Sequence, residues 1–221
     1  MSEHTHLDAD QLAAMRGNYT KYRLQRENLR EDPIDQFEDW LRDAVDAQLL
    51  EPNAMSLATV DANGHPWLRT VLLKALDARG FVFFTNLESR KAGHIEGNPH
   101  VSLMFAWLGL ERQVVVTGAA SKISMAESLK YFLSRPRESQ LAAWASRQSS
   151  VISSRKVLEM EWEHLKAKFG AGQVPLPTFW GGYRVRPETV EFWQGGPNRL
   201  HDRFQYARQQ DGSWMIERLA P

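Results

Sequence analysis

Cysteine is absent from this 221-residue sequence. Without it the chain has no thiol nucleophile, disulfide, thiolate zinc site or iron–sulfur cluster. Lack of cysteine is compatible with an intracellular environment, and we therefore expect a cytoplasmic protein.

An excess of charge of one sign is also lacking. The chain has 27 Lys and Arg residues against 27 Asp and Glu residues, so its formal net charge is zero. Proteins that hold nucleic acid through its phosphate backbone usually carry a clear basic excess. The balance predicts no nucleic-acid partner, although local clusters of cations could still bind a small anion.

Long hydrophobic runs are missing as well. The longest apolar stretch, residues 102–110, is too short to cross a bilayer. The first ten residues, MSEHTHLDAD, are polar and acidic, which does not fit a signal peptide. We expect no membrane partner.

Several motifs that identify particular sites are not found. The sequence contains no G-x-G-x-x-G, no G-x-x-x-x-G-K-[ST] and no H-E-x-x-H. The seven histidines are scattered, and none pairs with carboxylates at the spacing of a metal site. We therefore predict no metal.

The order of patterns predicts an arm followed by one domain. Residues 1–31 are polar and form the predicted arm, partly flexible and ordered by docking. Asp32-Pro33 is typical of a helix start, and residues 32–221 form the predicted domain. Strand patterns alternate with short helices, which predicts an α+β fold with a barrel-like antiparallel sheet. The predicted strands are 55–60, 67–76, 81–85, 101–107, 112–123, 179–185, 189–194, 200–207 and 214–219.

The segment VEFWQGGPNRLHDR, residues 190–203, contains the densest cluster of functional side chains. Alternation along the predicted strand places Arg199, His201 and Arg203 on one face. Three such groups repel each other unless an anion or an electron-rich ring lies between them. A solvated edge strand explains the same pattern, and both interpretations stay open on pattern alone.

Arg69 and Lys74 are lone cations in the apolar segment WLRTVLLKAL. Burying an unpaired cation is costly, so each must reach solvent, a partner or a ligand. Strict alternation would place the two on opposite faces of a strand. A shared site therefore requires either a bend or two ligand groups approached from two sides.

Two further segments favour phosphate. Ser89-Arg90-Lys91 opens a predicted helix, where free backbone N–H groups and two cations would suit an anion, although an ordinary hydrophilic first turn also fits. In YFLSRPRES, Tyr131 and Arg135 share a helical face and Ser139 follows Pro136. Gln148-Ser149-Ser150 adds small donors on a predicted loop.

Taken in order, RTVLLK, FFTNLESRKA, ERQVVVTG, YFLSRPRESQ, WASRQSS, VPLPTFWGGYRV, VEFWQGGPNRLHDR and the terminal RLAP resemble the pyridoxamine 5′-phosphate oxidase family. The resemblance extends from about Arg16 to Pro221. It implies a split β-barrel homodimer with FMN at the subunit interface. It also implies oxidation of pyridoxamine and pyridoxine 5′-phosphates by oxygen to pyridoxal 5′-phosphate, with release of hydrogen peroxide.

The resemblance assigns roles to the clusters residue by residue. Arg69, Lys91 and Ser149 would hold the FMN phosphate, with Arg90 and Gln148 nearby, and Gln113, Trp193 and Arg203 would contact the flavin ring. The other implied cofactor-binding residues are Thr70, Val71, Leu72, Leu73, Lys74, Phe84 and Thr85. The implied substrate-phosphate residues are Lys74, Tyr131, Arg135 and Ser139. Arg199 and His201 would be catalytic residues over the pyridine ring, and Arg16 and Tyr19 in the arm would close over the substrate.

Small departures and two alternatives remain. Phe84 and Arg147 stand where relatives carry Tyr or Lys, and a second, regulatory product site of the family would lie near Asn86, Arg147 and Phe179. One alternative is a flavin-binding protein or flavin reductase on the same barrel, which would not need Tyr131, Arg135, Ser139, Arg199 or His201. The other is a non-enzymatic module that binds anions or RNA, which the balanced charge disfavours.

Overall fold

A computed structural model describes residues 8–15, 17–146 and 148–221. Arg16 and Arg147, for which the sequence predicts roles, lie outside these residues. The described helices are α1 (Ala9–Ala14), α2 (Pro33–Asp46), α3 (Arg90–Gly97), α4 (Met125–Ser134), α5 (Arg137–Ala145) and α6 (Arg155–Phe169). The strands are β1 (Ala54–Val60), β2 (Pro66–Leu72), β3 (Ala75–Asp77), β4 (Gly80–Asn86), β5 (His100–Trp107), β6 (Arg112–Lys122), β7 (Trp180–Gln194), β8 (Asp202–Arg208) and β9 (Trp214–Leu219).

The strands form one antiparallel sheet with helices around it, which confirms the predicted α+β split barrel. The hydrogen-bonded order is β2-β1-β5-β6-β7-β4-β3, and β8 joins β7 to β9. Side chains on β1, β5 and β6 alternate between buried and partly exposed, as expected for strands with one face on a core. That core includes the fully buried rings of Phe37, Phe81 and Phe105, whose centroids lie 4.7–6.1 Å apart.

Helix α2 closes one end of this core, as the Asp32-Pro33 start predicts. The Asp32 side chain accepts a hydrogen bond from Ile34 N at 2.7 Å, which satisfies a free N–H group of the first turn. Trp40 packs edge-on against Phe192 of β7 with their centroids 5.1 Å apart. The helix is thereby attached to the longest strand of the sheet.

Part of the predicted arm packs on the barrel. Leu24 and Leu29 belong to the buried core, and Leu24 N donates to the Asp202 carboxylate at 3.1 Å. The Tyr206 hydroxyl donates to the Arg30 carbonyl at 2.8 Å. The division of the chain at residue 32 stays a prediction, but these contacts attach the segment before it to β8.

Strand 67–76 was predicted wrongly as one element. Here β2 ends at Leu72 and pairs with β1, whereas β3 starts at Ala75 and pairs with β4. Leu73 N donates to Asn53 O and Lys74 N to Val82 O, so the chain changes partner strands between these two residues. This change breaks the alternation that would separate Arg69 from Lys74.

Segments 179–185 and 189–194 were predicted as two strands but form the continuous strand β7. The register with β6 shifts at Pro187, since Thr117 opposes Thr189 whereas Gly118 opposes Pro187. Glu188 is thus an extra residue on β7, and this β-bulge accommodates the proline within the strand. A Cβ at Gly118 would lie 2.0 Å from the Arg186 carbonyl oxygen, so glycine permits this close approach. The long strand β7 consequently reaches from the cavity described below to the 195–198 turn.

The strand predicted over 200–207 begins at Asp202. Asn198 and Arg199 have positive φ angles of 55° and 62°, and residues 197–199 form a short 3-10 turn. Arg199 and His201 therefore precede β8. The predicted strand face that joined Arg199 and His201 to Arg203 is wrong for this reason.

Candidate active site

A cavity of about 750 Å³ lies between β2, β4, α4 and α5. That volume falls in the range of sites that hold small molecules or cofactors. Thirteen of the predicted site residues line it: Arg69, Thr70, Val71, Leu72, Lys74, Phe84, Thr85, Arg90, Lys91, Tyr131, Arg135, Gln148 and Ser149. The tertiary structure thus brings together segments that lie up to about 80 residues apart in the sequence.

One end of the cavity is a cationic cradle made by Arg69, Arg90 and Lys91. Lys91 is buried, and its Nζ donates to Thr85 Oγ1 at 3.0 Å, to Ser89 Oγ at 3.3 Å and to Gln148 Oε1 at 2.7 Å. Arg90 N donates to Ser149 Oγ, and the Arg90 guanidinium lies 4.5 Å from the Trp67 ring centroid. Within residues 8–15, 17–146 and 148–221, none of the three cations forms an ion pair.

Burial of this cradle perturbs its acid–base chemistry. Desolvation, with the nearby Arg69 charge as the second cause, lowers the pKa of Lys91 to about 8. Desolvation followed by repulsion from Arg90 likewise lowers the pKa of Arg69. Cations crowded without a counterion favour an anion among them, and a phosphate would suit the free N–H groups at the start of α3.

Hydrogen bonds to two residues of β1 hold the Arg69 side chain in place. Its Nη1 donates to the Leu57 carbonyl at 2.9 Å and to Thr59 Oγ1 at 2.8 Å. Thr59 is buried and also contacts His94 Nδ1 at 3.0 Å. Neither Thr59 nor His94 was singled out from the sequence as a supporting residue, because only the β1–β2 register places Thr59 near Arg69.

The other end of the cavity is aromatic and contains the half-buried guanidinium of Arg135. Phe84, Tyr131 and Trp180 form a cluster of nearly parallel rings, with centroids 4.0 Å apart for Phe84 and Tyr131, 5.2 Å for Phe84 and Trp180, and 6.1 Å for Tyr131 and Trp180. Arg135 lies 4.9 Å from the Trp180 centroid, and its Nη1 is buried with no hydrogen-bond partner among the described residues. Desolvation lowers the pKa of Arg135. An unpaired buried N–H is costly, so this nitrogen fits a second anion.

A separate depression of about 730 Å³ contains Tyr19, Gly196, Asn198, Arg199 and His201. The Tyr19 ring lies 5.7 Å from Trp193 and 5.6 Å from His201, and those two rings lie 4.6 Å apart. Gly196 N donates to His201 Nδ1 at 3.1 Å, so a neutral imidazole carries its proton on Nε2. That N–H is then the donor this ring can offer to a ligand.

Gln113, Trp193 and Arg203 form a row across three neighbouring strands. Gln113 on β6 pairs with Trp193 on β7, and Trp193 pairs with Arg203 on β8. Arg203 donates to both carboxylate oxygens of Glu191, at 2.8 and 3.1 Å, and to the Ala220 carbonyl at 2.8 Å. Its hydrogen bond to Glu191 raises the Arg203 pKa, so the guanidinium is charged but already paired.

The cavity and the depression share no lining residue. Two other predicted residues lie outside both: Leu73 belongs to the core, and Ser139 lies in the first turn of α5.

Sequence reasoning missed Trp180 as a lining residue, although VPLPTFWGGYRV contains it. Asn86 lines the cavity and a smaller neighbouring depression, while Phe179 packs against Trp144.

Among the described residues, no group of three or more His, Asp or Glu side chains is arranged to hold a metal ion. None of the described helices is long and apolar enough to span a membrane.

Two family models match most of the chain. Residues 41–169 match the family model described as pyridoxamine 5′-phosphate oxidase. Residues 180–221 match the model described as pyridoxine 5′-phosphate oxidase C-terminal dimerisation region.

Curated relatives cover nearly the whole chain. A pyridoxine/pyridoxamine 5′-phosphate oxidase of Crocosphaera subtropica is 62% identical over 95% of this chain and 99% of its own length. Enzymes of the same name from Vibrio vulnificus and Cronobacter sakazakii are each 58% identical, covering 96% and 100% of this chain and 100% of their own lengths.

Solved structures share the fold. PhzG from Burkholderia lata, crystallised with tetrahydrophenazine-1-carboxylic acid, superposes with a TM-score of 0.86 at 28% identity, over 93% of this chain and 100% of its own. A pyridoxamine 5′-phosphate oxidase-related, FMN-binding protein from Nostoc punctiforme gives 0.70 at 17% identity, over 87% and 100%, which is a likeness of fold alone. With the family model matching more than half of the sequence and relatives near 60% identity, the chain belongs to the pyridoxine/pyridoxamine 5′-phosphate oxidase family of oxidoreductases.

Proposed function

We propose that this chain binds FMN and oxidises pyridoxamine and pyridoxine 5′-phosphates with molecular oxygen. The products are pyridoxal 5′-phosphate and hydrogen peroxide, with ammonia also released from the amine after addition of water. The observation that carries the proposal is one cavity with two separate ends that each favour an anion. One end contains the desolvated Lys91, and the other contains the unpaired Nη1 of Arg135. A phosphorylated cofactor and a phosphorylated substrate supply the two anions.

The Arg69–Lys91 end fits the FMN phosphate. Lys91 and Arg69 offer charge, while Ser149 and the N–H groups at the start of α3 offer directed donors. FMN, when bound, supplies the redox chemistry by accepting hydride from the substrate carbon and passing the electrons to oxygen. Thr70, Val71 and Leu72 of β2 form the wall beside it.

The Arg135 end fits the substrate phosphate. Arg135 Nη1 supplies the unpaired donor, Lys74 adds a second charge, and the Tyr131 hydroxyl stands on the same helical face. Two phosphates held at fixed sites would set the distance between the reacting carbon and the flavin, which is catalysis by orientation. The proposed role of Ser139 is to complete this end from α5.

Arg199 and His201 would act from the depression of about 730 Å³ that contains them. The proposed roles are contact of the Arg199 guanidinium with the pyridine ring and donation by His201 Nε2–H to a ring substituent. Tyr19 packs beside His201, which supports its proposed role as a cover over the substrate. The same role for Arg16 stays a prediction. The row Gln113, Trp193 and Arg203 would contact the flavin ring.

The residues of the cavity and those of the depression would form one site if the chain is a homodimer. The cavity and the depression have no lining residue in common, and the C-terminal segment matches a dimerisation region. We propose that FMN lies at the subunit interface, with the cavity of one chain facing the depression of its partner. A cytoplasmic location, the division into arm and domain, and a regulatory site near Asn86, Arg147 and Phe179 stay predictions.

Aerobic incubation of the FMN-loaded protein with pyridoxamine 5′-phosphate tests the proposal. We expect pyridoxal 5′-phosphate, peroxide and ammonia in equal amounts, and peroxide without ammonia from pyridoxine 5′-phosphate. Unphosphorylated pyridoxamine is the matched control and should react far more slowly, because Arg135 and Lys74 would lack their ligand. Flavin reduction by a nicotinamide nucleotide without oxidation of either vitamer would favour a flavin reductase instead.

A further inference from the structure

Arg184 is the centre of a charged network outside the cavity. It lies on β7, and its side chain is only 12% exposed. Its Nη1 donates to Asp77 Oδ1 at 2.6 Å, and its Nη2 donates to Glu127 Oε1 at 3.0 Å. One guanidinium therefore bridges the last residue of β3 and the first turn of α4.

Both carboxylates are fixed by further contacts. Glu127 Oε2 accepts hydrogen bonds from Ser124 N at 3.1 Å and Ser124 Oγ at 2.9 Å, in a capping box at the start of α4. Asp77 Oδ1 accepts from Arg79 N at 2.9 Å, and the Arg79 guanidinium lies on the outer side of both carboxylates. The bridge thus connects two anchored points.

The bridged elements carry the residues proposed to hold the substrate phosphate. Lys74 directly precedes β3, which ends at Asp77. Tyr131 and Arg135 lie one and two turns beyond Glu127, on α4 and at its C-terminal cap. Lys74, Tyr131 and Arg135 line the cavity, whereas Arg184 does not.

The FMN-phosphate cradle lies on different elements. Arg69 is on β2, Lys91 is on α3, and Ser149 is in the segment after α5. Among the described residues, the side-chain hydrogen-bond partners of Arg184 are Asp77 and Glu127. A change at Arg184 should therefore act on one end of the cavity and spare the other.

We propose that Arg184 is a positioning residue that sets the spacing between Lys74 and the Tyr131–Arg135 pair, and thereby the affinity for the substrate phosphate. This inference rests on the proposed function. Removing the guanidinium leaves the two facing carboxylates bridged only by the solvent-exposed Arg79, whose charge is screened, so β3 and α4 should move apart. Lysine keeps one charge but cannot bridge both carboxylates with a planar fork.

Arg79 provides the matched control. It contacts the same Asp77 and Glu127 carboxylates, but its side chain is 65% exposed. Solvent screens such a pair, so its removal should change little. Arg184→Met and Arg79→Met therefore remove the same charge from the same network on its inner and outer sides.

The test compares Arg184→Met, Arg184→Lys and Arg79→Met. The measurements are KM and kcat for pyridoxamine 5′-phosphate, Kd for pyridoxal 5′-phosphate from protein fluorescence, and Kd for FMN. For Arg184→Met we expect KM and the pyridoxal 5′-phosphate Kd to rise about 10-fold, with FMN affinity within about twofold of the original. Arg184→Lys should give an intermediate rise, and Arg79→Met a change within about twofold. Affinity for unphosphorylated pyridoxal should not change.

Other outcomes would overturn the inference. An unchanged KM with a lower melting temperature would make Arg184 a purely structural residue, and an equal loss of FMN would show that it supports the whole cavity. If Arg184→Met does not fold, Glu127→Gln cuts one arm of the bridge while keeping an acceptor for Ser124, and an unchanged KM there would equally refute the role. A wild-type protein that binds pyridoxal 5′-phosphate but oxidises neither vitamer would refute the proposed function, while the pyridoxal 5′-phosphate affinities would still test Arg184.

Discussion

Lys91 Nζ donates a hydrogen bond of 2.7 Å to Gln148 Oε1, and the two side chains join α3 to the segment after α5. The amide oxygen offers only a partial negative charge to a buried ammonium group. Desolvation accordingly lowers the pKa of Lys91 to about 8, with Arg69 as the second cause. An FMN phosphate beside the amine would favour its charged form and raise that pKa again.

This relationship predicts how FMN affinity depends on pH. Below pH 8 Lys91 is already protonated, so affinity should be at its maximum; above pH 8 binding must also take up a proton, so affinity should fall. Between about pH 7 and about pH 9 the FMN Kd should rise about 10-fold. Fluorescence titration of the FMN-free protein measures it. Lys91→Met is the control and should bind FMN weakly without this pH dependence; an equal slope in both proteins would contradict the assignment.

Arg135→Ala should weaken substrate binding and leave FMN bound. A charge-assisted hydrogen bond is worth about 1.5–3 kcal/mol, so KM should rise about 10- to 150-fold. Steady-state kinetics and flavin content of the same preparation provide the measurement. Arg69→Ala is the reciprocal variant, expected to lower FMN affinity instead. If Arg135→Ala loses FMN, the two phosphate ends have been assigned the wrong way round.

Arg199→Lys should lower kcat/KM by at least about 10-fold, equal to about 1.4 kcal/mol of transition-state stabilisation. Lysine keeps the charge but offers no planar group to lie against the pyridine ring. FMN content should be unchanged, because the phosphate cradle and Arg203 remain. Near-normal kinetics together with a lower melting temperature would assign Arg199 to structure rather than catalysis.

A shared site predicts rescue between two impaired chains, assayed with pyridoxamine 5′-phosphate well below the raised KM of Arg135→Ala. Arg135→Ala damages the cavity and His201→Ala damages the depression, so a mixed dimer would keep one intact site made from both chains. Random pairing makes about half of the dimers mixed, which should restore about a quarter of wild-type activity. Activity of the co-refolded variants, with light scattering to confirm the dimer, provides the measurement. Absence of rescue in confirmed mixed dimers, or a monomer holding one FMN, would place the whole site within one chain.

Much of the architecture could be predicted from local patterns. The Asp32-Pro33 helix start and the strands predicted over 101–107 and 112–123 appear within one residue of where the sequence predicts them, because caps and alternation act over a few residues. The errors lie where strands change partners. The break after Leu72 and the absorption of Pro187 into β7 depend on distant strands, which no local pattern contains.

The chemistry of the site follows from the sequence, because its cations, aromatic rings and family motifs can be identified by residue type and order. Tertiary structure alone decided their grouping. Arg69 and Lys74 share a cavity because the chain crosses from β1 to β4 between Leu73 and Lys74. Arg199 and His201 fall in a separate depression because positive φ angles at Asn198 and Arg199 delay β8 until Asp202. The lowered pKa of Lys91 likewise depends on burial beside Arg69, 22 residues away in sequence, since desolvation is set by every element packed around a charge.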